Sequence, residues 1–526
     1  MNRLELTPAD LEQLDQAGIS TAEVERQIGL FAQPPDGWRL DRPCTVGDGI
    51  VRLERHEIQT LHEHQERAAL AGRFAGFVPA SGAATRMFRD LLHYRRGPGR
   101  DASWSEITEA ARAGESRAKA LTRLMSEVDR FAFSDSLRDS VRAAGGDLDA
   151  LVRDRDHVSI LDALLGDGGL AYEARPKGLL EFHGYPGGAR TALEEHLVEA
   201  ARYVRGADGR CSLHFTVSAE HRALFEETLE RVTARLERAT GARFDVEFSI
   251  QKPSTDTIAV DSENRPLRRN DGRLLFRPGG HGALIENLGD LKSDLVFVKN
   301  IDNVQPDHRR AEVVKWRKTL GGYLVALQAE IHRWLAALRD PGSWSERLEE
   351  AAGFAGSRLQ VELDGRLDSL PPAGRRALLE RLLDRPLRVC GVVPNRGEPG
   401  GGPFWVRDRD GVPRLQIVEG AQIDTGDPGQ AALLRQSTHF NPVDMVCGLR
   451  DPDRRPYELG RFLDPDAVII TEKSHDGRAL KALERPGLWN GAMAGWNTVF
   501  VEVPLATFAP VKTVFDLLRP EHQPAP

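Results

Sequence analysis

The alternation of apolar and polar residues divides the chain into helical and strand-like segments, and the first of these are helical. Thr7-Pro8-Ala9-Asp10 offers a helix cap followed by proline at the first helical position. Apolar side chains then recur at positions 11, 14, 19, 24 and 28, and a polar helical pattern covers residues 53–70. We therefore expect residues 1–73 to form an N-terminal helical flank.

A change of pattern at residue 76 marks the first strand and the loop that follows it. Gly76-Phe77-Val78-Pro79 is a short apolar run. It turns into a loop of small residues that ends in a cation, and the residues of this loop are Ser81, Gly82, Ala83, Ala84, Thr85 and Arg86. An amphipathic helix is expected next. The residues at about 89–174 are charged, alanine-rich and helical in pattern, which predicts a helical insertion.

Strand and helix patterns alternate after this insertion. Residues 191–204 and 219–239 are helical in pattern, whereas residues 212–217, 244–251 and 295–299 are strand-like. This alternation predicts βαβ units and a mainly parallel sheet flanked by helices, which is a Rossmann-like α/β fold. We expect the main α/β domain to span residues 74–518.

The later part of the chain adds a second insertion and two more strands. Helical patterns within 307–339 and 345–384 predict an insertion at about 307–385. Residues 404–406 and 415–419 alternate in the manner of half-buried strands. The proline-rich residues 519–526 are expected to form a flexible tail.

Length and charge narrow the class of protein. The chain has 526 residues, which suggests about three domains or one large domain with insertions. It carries 71 Lys and Arg against 79 Asp and Glu, so its net charge of −8 provides no basic field for a nucleic acid. The residues MNRLELTPADLEQ lack the apolar stretch of a secretory signal, and no apolar run approaches the ~20 residues of a membrane span, so we expect neither. We expect a cytoplasmic enzyme with neither nucleic-acid nor membrane partners, and its oligomeric state stays open.

The four cysteines give no sign of a metal centre or a disulfide framework. Cys44, Cys211, Cys390 and Cys447 lie far apart, and none belongs to a C-x-x-C pair. We expect them to be reduced and mostly buried.

The small-residue loop at 81–86 is a candidate phosphate site. Backbone N–H groups of small residues can approach an anion closely, and the following helix would turn its positive end towards that anion. The loop matches neither the Walker A pattern nor G-x-G-x-x-G. An ordinary strand–helix turn remains the alternative, but Arg86 could contact phosphate oxygens in a bidentate manner.

Further chemistry is suggested by an aspartate, two lysines and a second glycine loop. Asp302 follows the apolar strand 295–299, where a carboxylate can bind Mg²⁺ together with substrate phosphates, or can cap the next helix. Lys177 in Pro-Lys-Gly-Leu-Leu and Lys512 in Phe-Ala-Pro-Val-Lys are candidate phosphate cations, although each could be a surface lysine. The loop Pro278-Gly279-Gly280-His281-Gly282 is either a plain turn or part of a site.

These motifs, taken in order, resemble those of one enzyme family. Ser-Gly-Ala-Ala-Thr-Arg-Met and Pro-Lys-Gly-Leu-Leu are similar to the split signature G-x-G-T-R-[LM] … P-K-x-L of nucleotidyltransferases. The nearer resemblance is to UTP-glucose-1-phosphate uridylyltransferase and UDP-N-acetylglucosamine pyrophosphorylase. The motifs that carry it are Pro278–Gly282, Asn300–Asn303, Ile417–Gly420 and Phe508–Lys512. The whole chain also resembles the bacterial domain of unknown function 4301 family, which carries no assigned activity.

The resemblance implies a GT-A-like fold and a role for each motif. Arg86 would contact the triphosphate, Lys177 and Lys512 the reacting phosphates, and Asp302 a Mg²⁺ ion. The residues implied at the nucleotide are Ser81, Gly82, Ala83, Ala84, Thr85, Gln251, Gly280, His281 and Gly282, and those implied at the sugar are Asn303 and Glu419. The chain departs from the pattern at Ala83-Ala84, at Gly420 and in the long insertion between Arg86 and Lys177.

The activity that follows is sugar-1-phosphate nucleotidyl transfer. A nucleoside triphosphate and a sugar 1-phosphate would give a nucleotide-sugar, such as a UDP-sugar, and pyrophosphate. A GT-A glycosyltransferase that consumes a nucleotide-sugar is the first alternative, and a non-catalytic nucleotide-sugar-binding protein is the second. The sequence leaves the base and the sugar open.

Overall fold

The computed structural model describes residues 6–363, 365–397, 400–407, 411–475 and 478–525. These residues form two compact units that interleave along the chain. The first unit comprises Met1–Phe77, Ser249–Lys299 and Trp316–Leu505, and the second comprises Val78–Phe248, Asn300–Lys315 and Ala506–Pro526. This division differs from the expected flank at 1–73 followed by a single domain at 74–518.

The helices and strands alternate as predicted, and the structure contains further elements that the sequence pattern did not indicate. The helices are α1 (Pro8–Ala17), α2 (Thr21–Ala32), α3 (Arg55–Leu70), α4 (Arg89–Arg95), α5 (Trp104–Arg112), α6 (Ser116–Glu127), α7 (Ser134–Ala143), α8 (Leu148–Arg153), α9 (His157–Leu165), α10 (Ala192–Ala200), α11 (Arg222–Thr240), α12 (Ile285–Gly289), α13 (Arg310–Arg339), α14 (Leu348–Arg358), α15 (Pro372–Leu383) and α16 (Pro428–Arg435). The strands are β1 (Arg39–Pro43), β2 (Thr45–Val46), β3 (Gly49–Val51), β4 (Phe74–Pro79), β5 (Glu181–Tyr185), β6 (Gly188–Thr191), β7 (Arg210–Val217), β8 (Arg243–Ile250), β9 (Thr257–Ile258), β10 (Phe276–Arg277), β11 (Leu295–Lys299), β12 (Leu387–Pro394), β13 (Gly402–Arg407), β14 (Pro413–Val418), β15 (His439–Gly448), β16 (Ile469–His475), β17 (Arg478–Glu484) and β18 (Asn497–Glu502).

A large mixed sheet organises the first unit. The strands that this unit contributes to the sheet, in whole or in part, follow the order β2-β3-β18-β12-β15-β11-β4. The pairs β2–β3, β3–β18, β18–β12 and β11–β4 are parallel, whereas β15 runs antiparallel to both β12 and β11. The predicted α/β class, with a large sheet and flanking helices, is therefore confirmed, and β15 is the strand that makes the sheet mixed.

The N-terminal segment begins as its sequence predicts and then departs from a purely helical flank. The Thr7 side chain accepts a hydrogen bond from the backbone N–H of Asp10, and Pro8 occupies the first turn of α1. Residues 39–51 instead form three short strands, and β3 joins the large sheet beside β18. The strand pattern was missed there because β2 and β3 are only 2 and 3 residues long.

Two predictions about the second half of the chain need correction. The strands β13 and β14 are buried along almost their whole length, whereas their alternation predicts half-buried strands. They pair with one another and β13 also pairs with β1. One face of this small sheet packs in an apolar cluster with Phe404, Val406 and Val418, and the other face packs in a second cluster with Trp405, Leu415 and Ile417, so both faces are covered. The helical stretch predicted within 345–384 is interrupted between Arg358 and Pro372. Pro371 and Pro372 make a helix start there, because proline cannot continue a preceding helix.

The second unit contains the predicted first insertion and the hairpin β5–β6. The insertion contains α4 to α9, and α10 and α11 follow after the hairpin. Helix α10 is unusual because all nine of its residues, Ala192–Ala200, are buried. The four cysteines of the chain are free and buried. Within the part of the chain that the structure describes, no helix is both long and apolar enough to cross a membrane.

Candidate functional site

Three of the predicted site residues meet at one carboxylate in the second unit. Lys177 Nζ lies 3.0 Å from Asp302 Oδ2, and Lys512 Nζ lies 3.1 Å from the same oxygen atom. The Asp302 side chain is 9% exposed and that of Lys177 is 16% exposed, whereas that of Lys512 is 56% exposed. Asp302 and Lys177 are therefore largely buried, whereas the ammonium group of Lys512 reaches the solvent.

Hydrogen bonds that involve the backbone hold the three segments of this cluster together. The N–H of Val511 donates to the carbonyl of Asp302 at 3.0 Å, and the N–H of Ala509 donates to Asn303 Oδ1, also at 3.0 Å. Lys177 Nζ donates in addition to the carbonyl of Val511 at 2.9 Å. The two lysines are thus fixed through short contacts, although they lie far apart in sequence.

The electrostatics of the cluster favour an ionised Asp302. Burial by itself would raise the pKa of Asp302, but the charges of Lys177 and Lys512 and their hydrogen bonds outweigh burial and lower it. The site consequently carries two ammonium groups against one carboxylate, so these three side chains have a net charge of about +1. Such a surplus attracts an anion such as a phosphate.

The small-residue loop lies directly beside Lys177. The N–H of Lys177 donates to the carbonyl of Gly82 at 3.1 Å, and the N–H of Ala84 donates to the carbonyl of Arg175 at 3.2 Å. Ser81, Gly82, Ala83, Thr85 and Arg86 are exposed. A Cβ added at Gly82 would have no heavy atom within 4 Å, so the space over the loop is open.

The structure corrects the expected helix behind this loop. Ala84–Arg86 form one turn of 3₁₀ helix, and α4 begins only at Arg89. Because α4 has seven residues and starts three residues beyond Arg86, its dipole contributes little at the loop. An anion would instead meet the exposed backbone and the guanidinium of Arg86.

The residues around Asp302 determine whether this site can bind the Mg²⁺ ion expected from the sequence. Among the described residues, no group of three or more His, Cys, Asp or Glu side chains is arranged to hold a metal ion. Asp302 supplies one carboxylate, and its Oδ2 already accepts hydrogen bonds from two lysines. These residues fit Mg²⁺ only in the mode in which one carboxylate is joined by substrate phosphates.

Asn303 is placed beside the cluster but is itself buried. It is 2% exposed, and its Oδ1 is used by the backbone of Ala509. Its Nδ2 is a buried donor without a hydrogen-bond partner among the described residues. Only the Nδ2 donor of Asn303 therefore remains for the predicted sugar contact. Its Oδ1 holds the segment that leads to Lys512.

A second group of predicted residues lies in the first unit, around His281. The His281 ring stacks on Trp489, with ring centroids 4.2 Å apart and an interplanar angle of 16°. The backbone N–H of Leu488 donates to His281 Nδ1 at 3.0 Å, and Trp489 Nε1 donates to Glu419 Oε1 at 3.2 Å. Burial lowers the pKa of His281 and outweighs the opposing charges of Glu419 and Glu484. His281 is therefore a neutral ring, and its Nδ1 is an acceptor.

Gly280 and Gly282 are each required in this loop for a different structural reason. Gly280 has a φ of +75°, which favours glycine. A Cβ at Gly282 would lie 2.1 Å from the carbonyl oxygen of Pro486, so the backbone packs too closely for any side chain. Gln251 lies in the same unit, where its Nε2 donates to Asp256 Oδ1 at 3.1 Å.

Sequence reasoning missed two features of these groups. Trp489 stacks on His281, but no local pattern around Trp489 marks it, because it lies 208 residues further along the chain. The C-terminal residues were expected to be flexible, yet His522 is 2% exposed and contacts His183. A histidine among prolines is the one signal in that segment that a buried contact was possible.

A comparison with sequence families confirms the family that the whole chain resembles. Residues 7–523 match the sequence family described as "Domain of unknown function (DUF4301)". No curated protein matches the chain.

Several solved structures are similar to this chain at low sequence identity. UDP-glucose pyrophosphorylase from Leishmania major has a TM-score of 0.45 and 13% identity, over 98% of this chain and 79% of that one. The uridine diphosphate N-acetylglucosamine pyrophosphorylase from Trypanosoma brucei, in complex with an inhibitor, has a TM-score of 0.48 and 12% identity, over 98% and 79%. UDP-glucose phosphorylase from Trypanosoma brucei has a TM-score of 0.46 and 15% identity, over 97% and 77%.

Proposed function

Because the chain belongs to the DUF4301 family, whose description names no activity, we propose a function from its own site: sugar-1-phosphate nucleotidyl transfer. The substrates are a nucleoside triphosphate and a sugar 1-phosphate, and the products are a nucleotide-sugar and pyrophosphate. The observation that carries the proposal is the convergence of Lys177 and Lys512 on Asp302 Oδ2, next to the open loop at 81–86. Uridine is the first base to test, because the motifs resemble those of UDP-sugar enzymes.

The reaction requires charge stabilisation rather than covalent catalysis. A phosphate oxygen of the sugar 1-phosphate attacks the α-phosphorus. The new P–O bond forms as the bond between the α-phosphorus and the oxygen that bridges it to the β-phosphorus breaks, and pyrophosphate leaves. Lys177 and Lys512 offer ammonium donors to the oxygens that gain charge, and such fixed donors stabilise the transition state more than the ground state.

Asp302 has a positioning role in this scheme. Its carboxylate holds the two ammonium groups within 3.1 Å of one oxygen atom, which prevents the cations from separating before phosphate arrives. The exposed guanidinium of Arg86 and the loop backbone are proposed to bind the triphosphate. Mg²⁺, held by Asp302 together with phosphate oxygens, would screen the negative charges of the two substrates.

The remaining assignments concern recognition. We propose that Glu419 and Asn303 contact sugar hydroxyls. The residues proposed at the nucleotide are Ser81, Gly82, Ala83, Ala84, Thr85, Gln251, Gly280, His281 and Gly282. In support, Gly280 and Gly282 have backbone geometries that only glycine accommodates, and His281 has a neutral, stacked ring.

The test is a panel of nucleoside triphosphates and sugar 1-phosphates, scored for pyrophosphate release by the full chain with Mg²⁺. We expect one pair to react, and Lys177→Ala to lower kcat/KM by about a hundredfold or more, which corresponds to about 2.7 kcal/mol of transition-state stabilisation. Lys119→Ala is the matched control, since Lys119 is an exposed lysine of the same unit outside the cluster.

Other outcomes of this panel separate the alternatives. Sugar transfer from a nucleotide-sugar to an acceptor, without pyrophosphate release, would identify a glycosyltransferase. Tight nucleotide-sugar binding without any turnover would identify a binding protein. Either result would overturn the proposed reaction.

A further inference from the structure

Residues 485–489 of the first unit form a segment that contacts the glycine loop around His281. Arg485 begins this segment directly after strand β17, and its backbone N–H donates to the carbonyl of Gly279 at 2.8 Å. Further along the segment, the N–H of Leu488 donates to His281 Nδ1 at 3.0 Å. The segment therefore holds the glycine loop at two points.

The side chain of Arg485 reaches a second loop, the 3₁₀ turn Pro253–Thr255. Its Nε donates to the carbonyl of Thr255 at 2.8 Å, and its Nη2 donates to the carbonyl of Ser254 at 3.1 Å. One planar guanidinium thus binds two consecutive backbone carbonyls. The same arginine consequently contacts the glycine loop through its backbone and the turn through its side chain.

The turn that Arg485 holds is closed by Gln251, one of the residues expected at the nucleotide. Gln251 Nε2 donates to Asp256 Oδ1 at 3.1 Å, so these two residues enclose the turn. Inside it, the N–H of Asp256 donates to the carbonyl of Pro253 at 3.0 Å. The position of Gln251 therefore depends on the turn, and the turn is held by Arg485.

The glycine loop and the turn also pack closely against each other. A Cβ added at Gly279 would lie 2.5 Å from the carbonyl oxygen of Thr255 and 3.2 Å from Cγ of Arg485. No side chain fits in that space, so the glycine lets the loop contact the turn and the arginine at once. Arg485 therefore lies where the two loops meet.

An ion pair does not account for this arrangement. Arg485 Nη2 lies 3.8 Å from Glu23 Oε1, which is beyond hydrogen-bond distance. Glu23 already accepts hydrogen bonds from Arg26 and Gln27. The hydrogen bonds of the Arg485 side chain therefore go to the two carbonyls of the turn.

We propose that Arg485 is a positioning residue for nucleotide binding, because its guanidinium holds Gln251 and the glycine loop in one fixed arrangement. This role rests on the proposed function, which places the nucleotide at Gln251 and at the glycine loop. Arg485 acts through the turn and does not touch the nucleotide. Its effect is preorganisation, since a turn that is already fixed loses less entropy when the ligand binds.

The first experiment measures the turn in the absence of substrate. Hydrogen exchange of residues 251–257 is compared between the wild type and Arg485→Ala. The substitution keeps the backbone N–H that binds the glycine loop and removes only the two bonds to the turn. We expect exchange to become about tenfold faster or more, because hydrogen bonds from a charged donor are among the stronger ones in proteins. Unchanged exchange in Arg485→Ala would overturn the proposal.

Arg375→Ala is the matched control for this comparison. The Arg375 side chain is 26% exposed, against 23% for Arg485. It likewise donates to two backbone carbonyls of the first unit, those of Leu370 and Asp368. Its loss should leave the exchange of residues 251–257 unchanged.

The second experiment separates a positioning role from a merely structural one. With pyrophosphate release as the assay, Arg485→Ala should raise the KM for the nucleoside triphosphate about tenfold or more. The kcat and the KM for the sugar 1-phosphate should stay within about threefold, because the lost interaction supports nucleotide binding equally in the ground state and the transition state. A structural arginine would instead lower the melting temperature and the amount of active protein, with both KM values unchanged. That result would overturn the proposal.

A second variant keeps the test decisive if Arg485→Ala does not fold. Arg485→Lys retains the charge, but its ammonium group lacks the planar pair of donors that binds two carbonyls. We expect it to raise the KM for the triphosphate about threefold or more, with kcat retained. A wild-type KM in Arg485→Lys would show that the contact with two carbonyls has no part in nucleotide binding.

Turnover and binding together separate this inference from the proposed function. If the wild type releases pyrophosphate and Arg485→Ala keeps the wild-type KM for the triphosphate, the reaction stands and the positioning role falls. If no substrate pair reacts, the proposed reaction falls, and equilibrium binding of UTP decides the positioning role. Weaker UTP binding in Arg485→Ala supports that role, and equal binding overturns it. If UTP does not bind to the wild type, both proposals fall.

Discussion

Asp302 is the residue on which the proposed site depends, because it holds two cations that are distant in sequence. Its neighbour Asn303 fixes the backbone of Ala509, so these two residues in the turn after β11 organise both charge and chain position. The sequence singled out Asp302 by its place after an apolar strand. It did not indicate that two lysines would share one of its oxygens.

Asp302→Asn tests this role. We expect turnover to fall by about a hundredfold or more, because the amide can neither balance the two ammonium groups nor join a phosphate-bound Mg²⁺. Pyrophosphate release and the melting temperature are measured together, and chelation of Mg²⁺ should abolish the activity of the wild type. Asp139→Asn, at a side chain that is 72% exposed, serves as the control. Full turnover in Asp302→Asn would remove Asp302 from the mechanism.

Lys512→Ala distinguishes a catalytic lysine from a structural one. The Lys512 side chain is 56% exposed, so its ion pair contributes little to stability, and the melting temperature should change by no more than about 2 °C. If the ammonium stabilises charge that develops during transfer, kcat and kcat/KM should fall together. Steady-state kinetics and thermal unfolding provide the two measurements. A lower melting temperature with unchanged kcat would mean a structural lysine.

Helix α10 is completely buried, yet it carries several charged and polar side chains. Its cap follows the sequence rule, since Thr191 accepts from the N–H of Glu194 and the Glu194 side chain accepts from the N–H of Thr191. The next two residues, Glu195 and His196, are also buried. His196 contacts the carbonyl of Ile301 at 3.1 Å, directly before Asp302. The helix therefore contacts the backbone that positions Asp302.

Glu195→Gln tests the polar interior of α10. Removing the charge leaves Arg310 buried with a weaker partner, and breaking a buried ion pair costs about 3–5 kcal/mol of the free energy of unfolding. Chemical denaturation measures this loss. Glu220→Gln, at a side chain that is 71% exposed, should change stability by less than about 0.5 kcal/mol and is the control. Equal stability of both variants would show that Glu195 is not a structural charge.

At the scale of the whole molecule, the buried ring of His522 predicts how stability depends on pH. The pKa of His522 falls from 6.5 to about 3 on folding, so between these values the unfolded chain binds more protons than the folded chain. His522 therefore does not reduce the free energy of unfolding above about pH 6.5. As the pH falls from about 6.5 towards about 3, it lowers this free energy by up to about 1.4 kcal/mol per pH unit.

Denaturation midpoints across pH 3–7 check this expectation. His522→Gln cannot titrate in that range, so its stability should fall less steeply than that of the wild type. The paired carboxylates, including Asp302, titrate in both proteins and cancel in the comparison. Parallel curves for the two proteins would contradict the assignment.

Local patterns alone determined much of the secondary structure and the family. Caps such as Thr7 and Thr191 act through hydrogen bonds within a few residues, and the apolar run of β11 has a period that is visible in the sequence. The resemblance of the whole chain predicted the DUF4301 family, and the family match confirms it. These features depend on residues close together in the chain, which is why the sequence was sufficient.

Only the tertiary structure decided which distant residues meet. The pairing of β15 in an antiparallel direction, the burial of β13 and β14, and the interleaving of two units all arise from long-range contacts that no local period encodes. The same holds for Lys177 and Lys512 on Asp302 and for His522 beside His183. In each case the free energy comes from burying a polar or charged group with a partner far along the chain, and the sequence shows the group without its partner.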